Sequence, residues 1–248
     1  MKKTVIFIDG QNLFYTLKNM RLLEKNINWT SFFKNLLEPN DELVRVYWYQ
    51  PQKLSESRFA PERARNVILR RDEQKRAVVA EIKRFGGQLK EELPLTPKEI
   101  EEQTQTLLRE SREWHQEQIR RYEKQLHRYD ELAIRYPEIE MVRKGIVRID
   151  PFEQDYLGEK GVDVAIAVNM IKLHEKCDKT ILISGDLDYA EAIQFIKDNL
   201  KIVYIVRLFK GEPPINRNVS RTLMALADKV LDVYESQIRS NFLIANTN

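Results

Sequence analysis

The sequence predicts an α/β fold in which a mostly parallel sheet is covered by helices on both faces and interrupted by one long helical insertion. Two short apolar runs carry the sheet. Residues 4–9 (TVIFID) and 180–183 (TILI, followed by Ser184-Gly185-Asp186) are rich in β-branched side chains and end at an acid or a glycine, as strands buried on both faces do. Helical periodicity follows each after a short loop, and repeated strand-helix-strand units joined this way imply right-handed crossovers and parallel pairing. The insertion is marked by residues 98–136, which contain no glycine or proline.

Taken in order, residues 4–9 are the first strand and 11–23 the first helix, with Leu13, Leu17 and Met20 on one face. Residues 29–37 make a short second helix closed by Pro39. Residues 43–49 alternate, Val44, Val46 and Trp48 against Arg45 and Tyr47, which suits a strand nearer the sheet edge. Pro51 and Pro61 bracket a loop. A helix over 61–85 stops at Gly86-Gly87, as helices do at glycine. Strands at 88–95 and 141–149 flank the insertion. Inside it Ile119, Tyr122, Leu126, Tyr129, Ala133 and Tyr136 keep a three-four spacing, while Ile100, Leu107 and Trp114 keep a seven-residue one, so the seam shifts phase near Trp114. As one helix it would span roughly 60 Å. The helix beginning near Val162 is apolar on nearly every side and is expected to pack between layers. A helix to about residue 199, a buried strand at 202–206 and a last helix at 220–229 complete the pattern. The expected division is a domain of residues 1–96 and 137–235, a coiled-coil-like arm of 97–136 and a C-terminal tail of 236–248.

Composition narrows the chemistry. Lys plus Arg number 41 and Asp plus Glu 38, a net charge of +3, so whole-chain charge neither requires nor excludes a nucleic-acid partner. One cysteine, Cys177, rules out an internal disulfide, and three scattered histidines leave no zinc-ligand spacing. A reducing cytoplasm is expected, because the opening apolar run is too short for a signal peptide and none elsewhere reaches ~18 residues. Charge is concentrated locally: between Arg58 and Lys90 ten basic residues face four acids, a local +6. Arg71 and Lys75 fall on the apolar side of that helix, which leaves a solvated basic helix and a phosphate-contacting face as alternative readings. The arm, with eight basic and nine acidic residues between Lys98 and Arg135, is no polycation; its seam packs on another part of the chain or on a second subunit, which makes it a candidate homodimer contact.

The acids at the strand ends are the chemical signal. Asp9 could cap the first helix, Asp163 could favour the dipole of its helix, and Asp188 could cap the helix it precedes. Together they read differently. Asp9, Asp186 and Asp188 follow strand C-termini and Asp163 opens a helix, which in a parallel α/β sheet is one rim, where ligands bind. Carboxylates gathered there repel one another unless a cation neutralises them, and acids without His or Cys select a hard ion such as Mg²⁺ or Mn²⁺, which polarises phosphoryl oxygens.

Three blocks, Phe7-Ile-Asp9-Gly-Gln-Asn12-Leu, Lys160-Gly-Val-Asp163-Val-Ala-Ile-Ala-Val and Ile183-Ser184-Gly-Asp186-Leu-Asp188-Tyr, resemble the signature blocks of the NYN domain (LabA-like) family, a branch of the PIN-like nucleases. The resemblance covers roughly residues 3–95 and 139–233 and leaves the arm as an insertion. It implies a PIN-like three-layer α/β/α fold and a Mg²⁺- or Mn²⁺-dependent endoribonuclease site, with Asp9, Asp163, Asp186 and Asp188 as metal-binding acids and Asn12 positioning metal or phosphate. Asn169 stands where the family often has Asp, about 120° round the helix from Asp163.

The expected substrate is RNA, single-stranded or structured, and no membrane. Its phosphates would meet the Ser184 hydroxyl and Lys160, Arg71, Lys75, Arg207, Lys210 and Arg217, cations placed near the rim or breaking an apolar face. A haloacid-dehalogenase-type phosphatase would need an acid at Gln11, and no Walker or dinucleotide loop follows any strand. The rival from another class is a non-catalytic NYN module that binds RNA or assembles through its arm.

Overall fold

The computed structural model describes residues 1–90, 92–211 and 220–244. By their contacts they fall into two compact units. One comprises Met1–Lys53, Gln125–Ile146 and Glu159–Asn248, the other Leu54–Lys124 and Val147–Gly158.

The first unit is built on a six-stranded sheet. Its strands are β1 (Lys2–Asp9), β2 (Asp41–Gln50), β4 (Ile139–Arg143), β7 (Lys179–Ile183), β8 (Ile202–Phe209) and β9 (Lys229–Tyr234), in the spatial order β4-β2-β1-β7-β8-β9. Every neighbouring pair is parallel. From β1 the chain builds outward through β2 to β4, then returns to β7 and builds the other way through β8 to β9. The strand order therefore reverses between β1 and β7, and the crevice at their carboxyl ends is where such sheets hold ligands.

Strand side chains alternate between two cores, which makes three layers. Ile6, Ile8, Ile181 and Ile183 face one core with Leu13 and Leu17 of α1 (Gly10–Asn19) and with Trp29, Phe32 and Phe33 of α2 (Trp29–Asn35). Val5, Phe7, Leu182 and Ile205 face the other, with Ile166 and Met170 of α5 (Val162–Leu173), Ile193 and Ile196 of α6 (Ala190–Asp198) and Leu223 of α7 (Arg221–Leu226). At the amino ends of the strands Lys179, wholly buried, places its Nζ 2.8 Å from Glu38 and 2.7 Å from Asp41.

The second unit pairs helices. Ala64, Val67 and Ile68 of α3 (Pro61–Arg84) bury against Leu107, Leu108 and Phe152. Leu107 and Leu108 belong to α4 (Pro97–Arg135), which is one continuous helix. The buried seam of α4 includes Thr104, Ser111 and Gln118, polar positions that a hydrophobic repeat does not reveal. Its last third is counted with the first unit, where Tyr129, Leu132 and the following Tyr136 join the core. Tyr136 Oη donates to the Ile27 carbonyl at 2.9 Å.

Four sequence expectations change. Residues 88–95 form no strand among the described residues. The single strand expected over 141–149 is two, β4 and β5 (Ile146–Asp150), because Gly145 turns between them at φ +75. A side chain there would collide with the Lys160 carbonyl. β5 joins β3 (Lys53–Leu54) and β6 (Asp155–Lys160) in a small second sheet. The last helix ends at Leu226, and Lys229 instead opens a sixth parallel strand whose Val233 is buried. Finally, α5 does not lie between layers: Val164 is 67% and Val168 41% exposed, on the side away from Ile166 and Met170.

Candidate metal centre

Asp9 ends β1 at the point where the strand order reverses. It is 5% exposed and fully engaged: Oδ1 accepts the Asn12 backbone N–H at 3.0 Å, and Oδ2 accepts the Ser184 hydroxyl at 3.0 Å. Asp9 is thus the N-cap of α1 and a site residue at once, since each reading uses a different oxygen. Gly10 is required beside it, because a Cβ would overlap the Tyr49 carbonyl and the Gln50 side chain.

The decisive group is Tyr189, buried behind the loop after β7. Its hydroxyl lies 3.1 Å from Asp9 Oδ2 and 3.0 Å from Asp163 Oδ1. A phenol has one proton, so it donates to one carboxylate at a time and leaves the other contact between lone pairs. The two acids are thereby held no more than about 6 Å apart, and burial pushes the Asp9 carboxyl above the ordinary range. Glu159, one residue from the end of β6, completes the cluster. Burial first, then the charges of Asp9 and Asp163, pushes its carboxyl up to about 8. A third acid raised by burial and further by two neighbouring charges marks a region short of positive charge.

Three carboxylates with no nitrogen or sulfur donor fit a hard divalent cation. Asp9, Asp163 and Glu159 would hold it, and the repulsion among them is what it would relieve. Asp186 and Asp188 lie on the exposed loop that follows β7. Asp186 Oδ1 accepts the Asp188 N–H at 3.1 Å, capping the turn Leu187–Tyr189, and both acids are exposed. Among the described residues no three acids close on a single point as their side chains now stand.

Of the remaining predicted residues, Asn12 and Ser184 line one small cleft with Gly185 between α1 and β7. Lys160 is exposed and follows Glu159 directly, while Lys210, half-buried, follows β8. Arg207 donates from Nε and Nη2 to the two oxygens of Asp232, at 2.7 Å each. In the second unit Arg71 is held by Glu153 at 2.8 Å and the Phe152 carbonyl at 2.9 Å, and Lys75 by Glu92 at 2.9 Å. Those pairs explain why two cations sit on the apolar side of α3. Arg217 lies outside the described residues. Asn169 donates to the Tyr49 hydroxyl at 2.6 Å, which turns it away from Asp163.

Sequence reasoning missed Tyr189 and Glu159. Tyr189 had a signal, since Tyr189, Ile193 and Ile196 fall on one helical face. Glu159 had none: it stands in a strand that is otherwise exposed.

The NYN domain family model matches residues 76–234 of the chain. The chain belongs to the NYN domain family. The matched range omits β1, yet the NYN sheet restores it: Asp9 reaches Ser184 and Tyr189, both inside that range, through the β1–β7 pairing. No curated protein matches the chain. A crystal structure of a Vibrio parahaemolyticus protein described as of unknown function is similar at 18% identity and TM-score 0.49, covering 98% of this chain and 96% of its own.

Proposed function

We propose that this NYN protein, of the LabA-like kind, is a cytoplasmic, divalent-cation-dependent endoribonuclease. The observation that carries the reading is the bridge from Asp9 through Tyr189 to Asp163 at the switch point of the sheet. Held by Asp9, Asp163 and Glu159, a Mg²⁺ or Mn²⁺ ion would polarise a phosphoryl oxygen and lower the pKa of bound water. The protein's own contribution is placement. Asp9 is fixed by the Asn12 N–H and the Ser184 hydroxyl, with the Tyr189 hydroxyl shared with Asp163, before any ligand arrives, so little reorganisation is needed. Tyr189 holds one proton between Asp9 and Asp163. Ser184 and Asn12 border a small cleft between α1 and β7, and Ser184 donates to Asp9. Lys160 is the exposed cation placed to meet flanking phosphates, whereas Arg71, Lys75 and Arg207 already spend their charge on internal acids. Asp186 and Asp188 would enter by turning inward from the exposed loop.

Cleavage of a small RNA panel with and without Mn²⁺, with Asp9→Asn as control, tests this. Strand scission that needs Mn²⁺ and disappears in Asp9→Asn is the expected result; full activity in excess chelator would sink it. The second reading, a non-catalytic RNA-binding or assembly module with a dimerising arm, is favoured by the outward setting of Asp186 and Asp188. RNA retention without cleavage at any Mn²⁺ concentration would select it.

A further inference from the structure

A cavity of the first unit has no part in the acidic site. It holds about 670 Å³ and opens between the C-terminal half of α1, the segment that follows it and the last third of α4. That volume lies within the range of sites that enclose a small organic ligand. Its walls are apolar: Phe14, Leu17, Leu22, Tyr129 and Leu132, with Leu23 57% exposed at the mouth. Four cations, Lys18, Arg21, Lys25 and Arg128, border it against one carboxyl, Glu24. Burial pushes that carboxyl up to about 7, which reduces the opposing negative charge near neutrality. Tyr129 Oη donates to it at 3.3 Å.

Lys18 and Arg21 have an ordinary explanation in the negative end of the α1 dipole. Lys25 lies on the turn that follows, beyond the end of that helix, while Arg128 of α4 acts on Glu24. Arg21 carries a second observation. It occupies the position after the α1 cap at φ +55, where its N–H reaches the Lys18 carbonyl and the Leu22 N–H the Leu17 carbonyl. Glycine is the residue that takes this left-handed turn without strain. Leu200 takes the same turn after α6, so the turn alone asks nothing of the side chain; what Arg21 adds is a cation at the edge of an apolar cavity.

The geometry points to a binding site for an amphipathic anion, an aliphatic chain carrying one carboxylate, with the chain on the apolar walls and the head among Arg21, Lys18 and Lys25. This reading stands apart from the proposed nuclease site and is tested with excess chelator present, so that neither outcome bears on the cation site.

The probe is dodecanoate, followed by calorimetry and thermal melting of the full chain. Dodecyltrimethylammonium supplies the same chain with the opposite charge, and inorganic phosphate an anion without the chain. One dodecanoate per chain, a raised melting temperature and at least about tenfold weaker binding of the cationic analogue are expected, the size of one lost charge-assisted contact. Arg21→Gly separates a ligand role from a structural one: it should leave the ligand-free melting temperature unchanged or higher while weakening dodecanoate about tenfold. Leu23→Glu, at the exposed mouth, should weaken it as well. Equal binding of both detergents, many chains per protein, tight binding of phosphate alone, no binding of dodecanoate, or an Arg21→Gly variant with the parent's affinity would each overturn the proposal.

Discussion

Two carboxylates that share one tyrosine proton set the chemistry at the scale of the residue. Tyr189→Phe keeps the ring and its packing but leaves Asp9 Oδ2 and Asp163 Oδ1 without the shared donor. A loss of about 1–2 kcal/mol in urea unfolding is expected for a buried acceptor deprived of its donor. The melting gain from Mn²⁺ should then exceed the parent's, since a cation becomes the main relief of the repulsion; an unchanged gain would mean that the hydroxyl and the cation do not act on the same charges. Glu24 gives a pH prediction. Its folded value of about 7 lies above the ordinary 4.5 because burial opposes its charge. The native state therefore binds more protons than the unfolded one between those values, and stability falls as pH rises through them. Glu24→Gln should be about 3 kcal/mol more stable relative to the parent at pH 8 than at pH 4, by denaturant unfolding at both pH values. A difference that does not change between pH 4 and pH 8 would show that the carboxyl ionises freely.

At the scale of the element, α4 joins two kinds of environment along one uninterrupted helix. Its composition, rich in charge and free of glycine and proline, made the helix legible. The periodicity also located the seam, but not what covers it, because packing partners lie far away in sequence. Tyr129 stands against Trp48 with ring centroids 6.2 Å apart and is buried, while Ile134, five positions on, is 81% exposed. Tyr129→Ala should cost about 3–5 kcal/mol by leaving a cavity in the core, and Ile134→Ala less than about 0.5 kcal/mol. Comparable losses from both, measured by urea unfolding, would mean that this end of α4 is not part of the core. The missed strand β9 has a similar cause. Val230, Leu231 and Val233 are too few to distinguish strand from helix by period, and the open edge of β8 decided for strand.

At the scale of the molecule, the six parallel strands separate two charged ends. The acids gather at the carboxyl ends, and the amino ends hold a buried ion cluster of Lys179 with Glu38 and Asp41, Lys179 also standing 4.4 Å over the Tyr204 ring. Glu38 is held down to about 2 by its hydrogen bonds from Lys179, Lys229 and Tyr204. Lys179→Ala removes the buried cation and leaves Asp41 without it, which should cost about 3–5 kcal/mol. The strand β7 holds the two ends roughly 16 Å apart at ~3.3 Å per residue, so the variant's melting temperature should still rise with Mn²⁺. A lost Mn²⁺ response in a protein that remains folded would show that the two ends are coupled through the sheet.

The sequence by itself determined the parallel α/β sheet, the long helix and the acids at the strand ends. Those features are local: β-branched runs, helical period and glycine stops follow from backbone sterics and side-chain entropy over a few residues. The family was likewise legible in three short blocks. Only the tertiary structure decided how the acids stand to one another. Asp9 and Asp163 come from separate segments and meet at the Tyr189 hydroxyl because β1 pairs with β7, and Glu159 lies near enough for their charges to act on it, whereas Asp186, inside the most suggestive block, spends an oxygen on capping its own turn. A carboxylate's direction depends on which donor lies within about 3 Å of it, and for Asp9 two of those donors, Ser184 and Tyr189, come from more than 170 residues away.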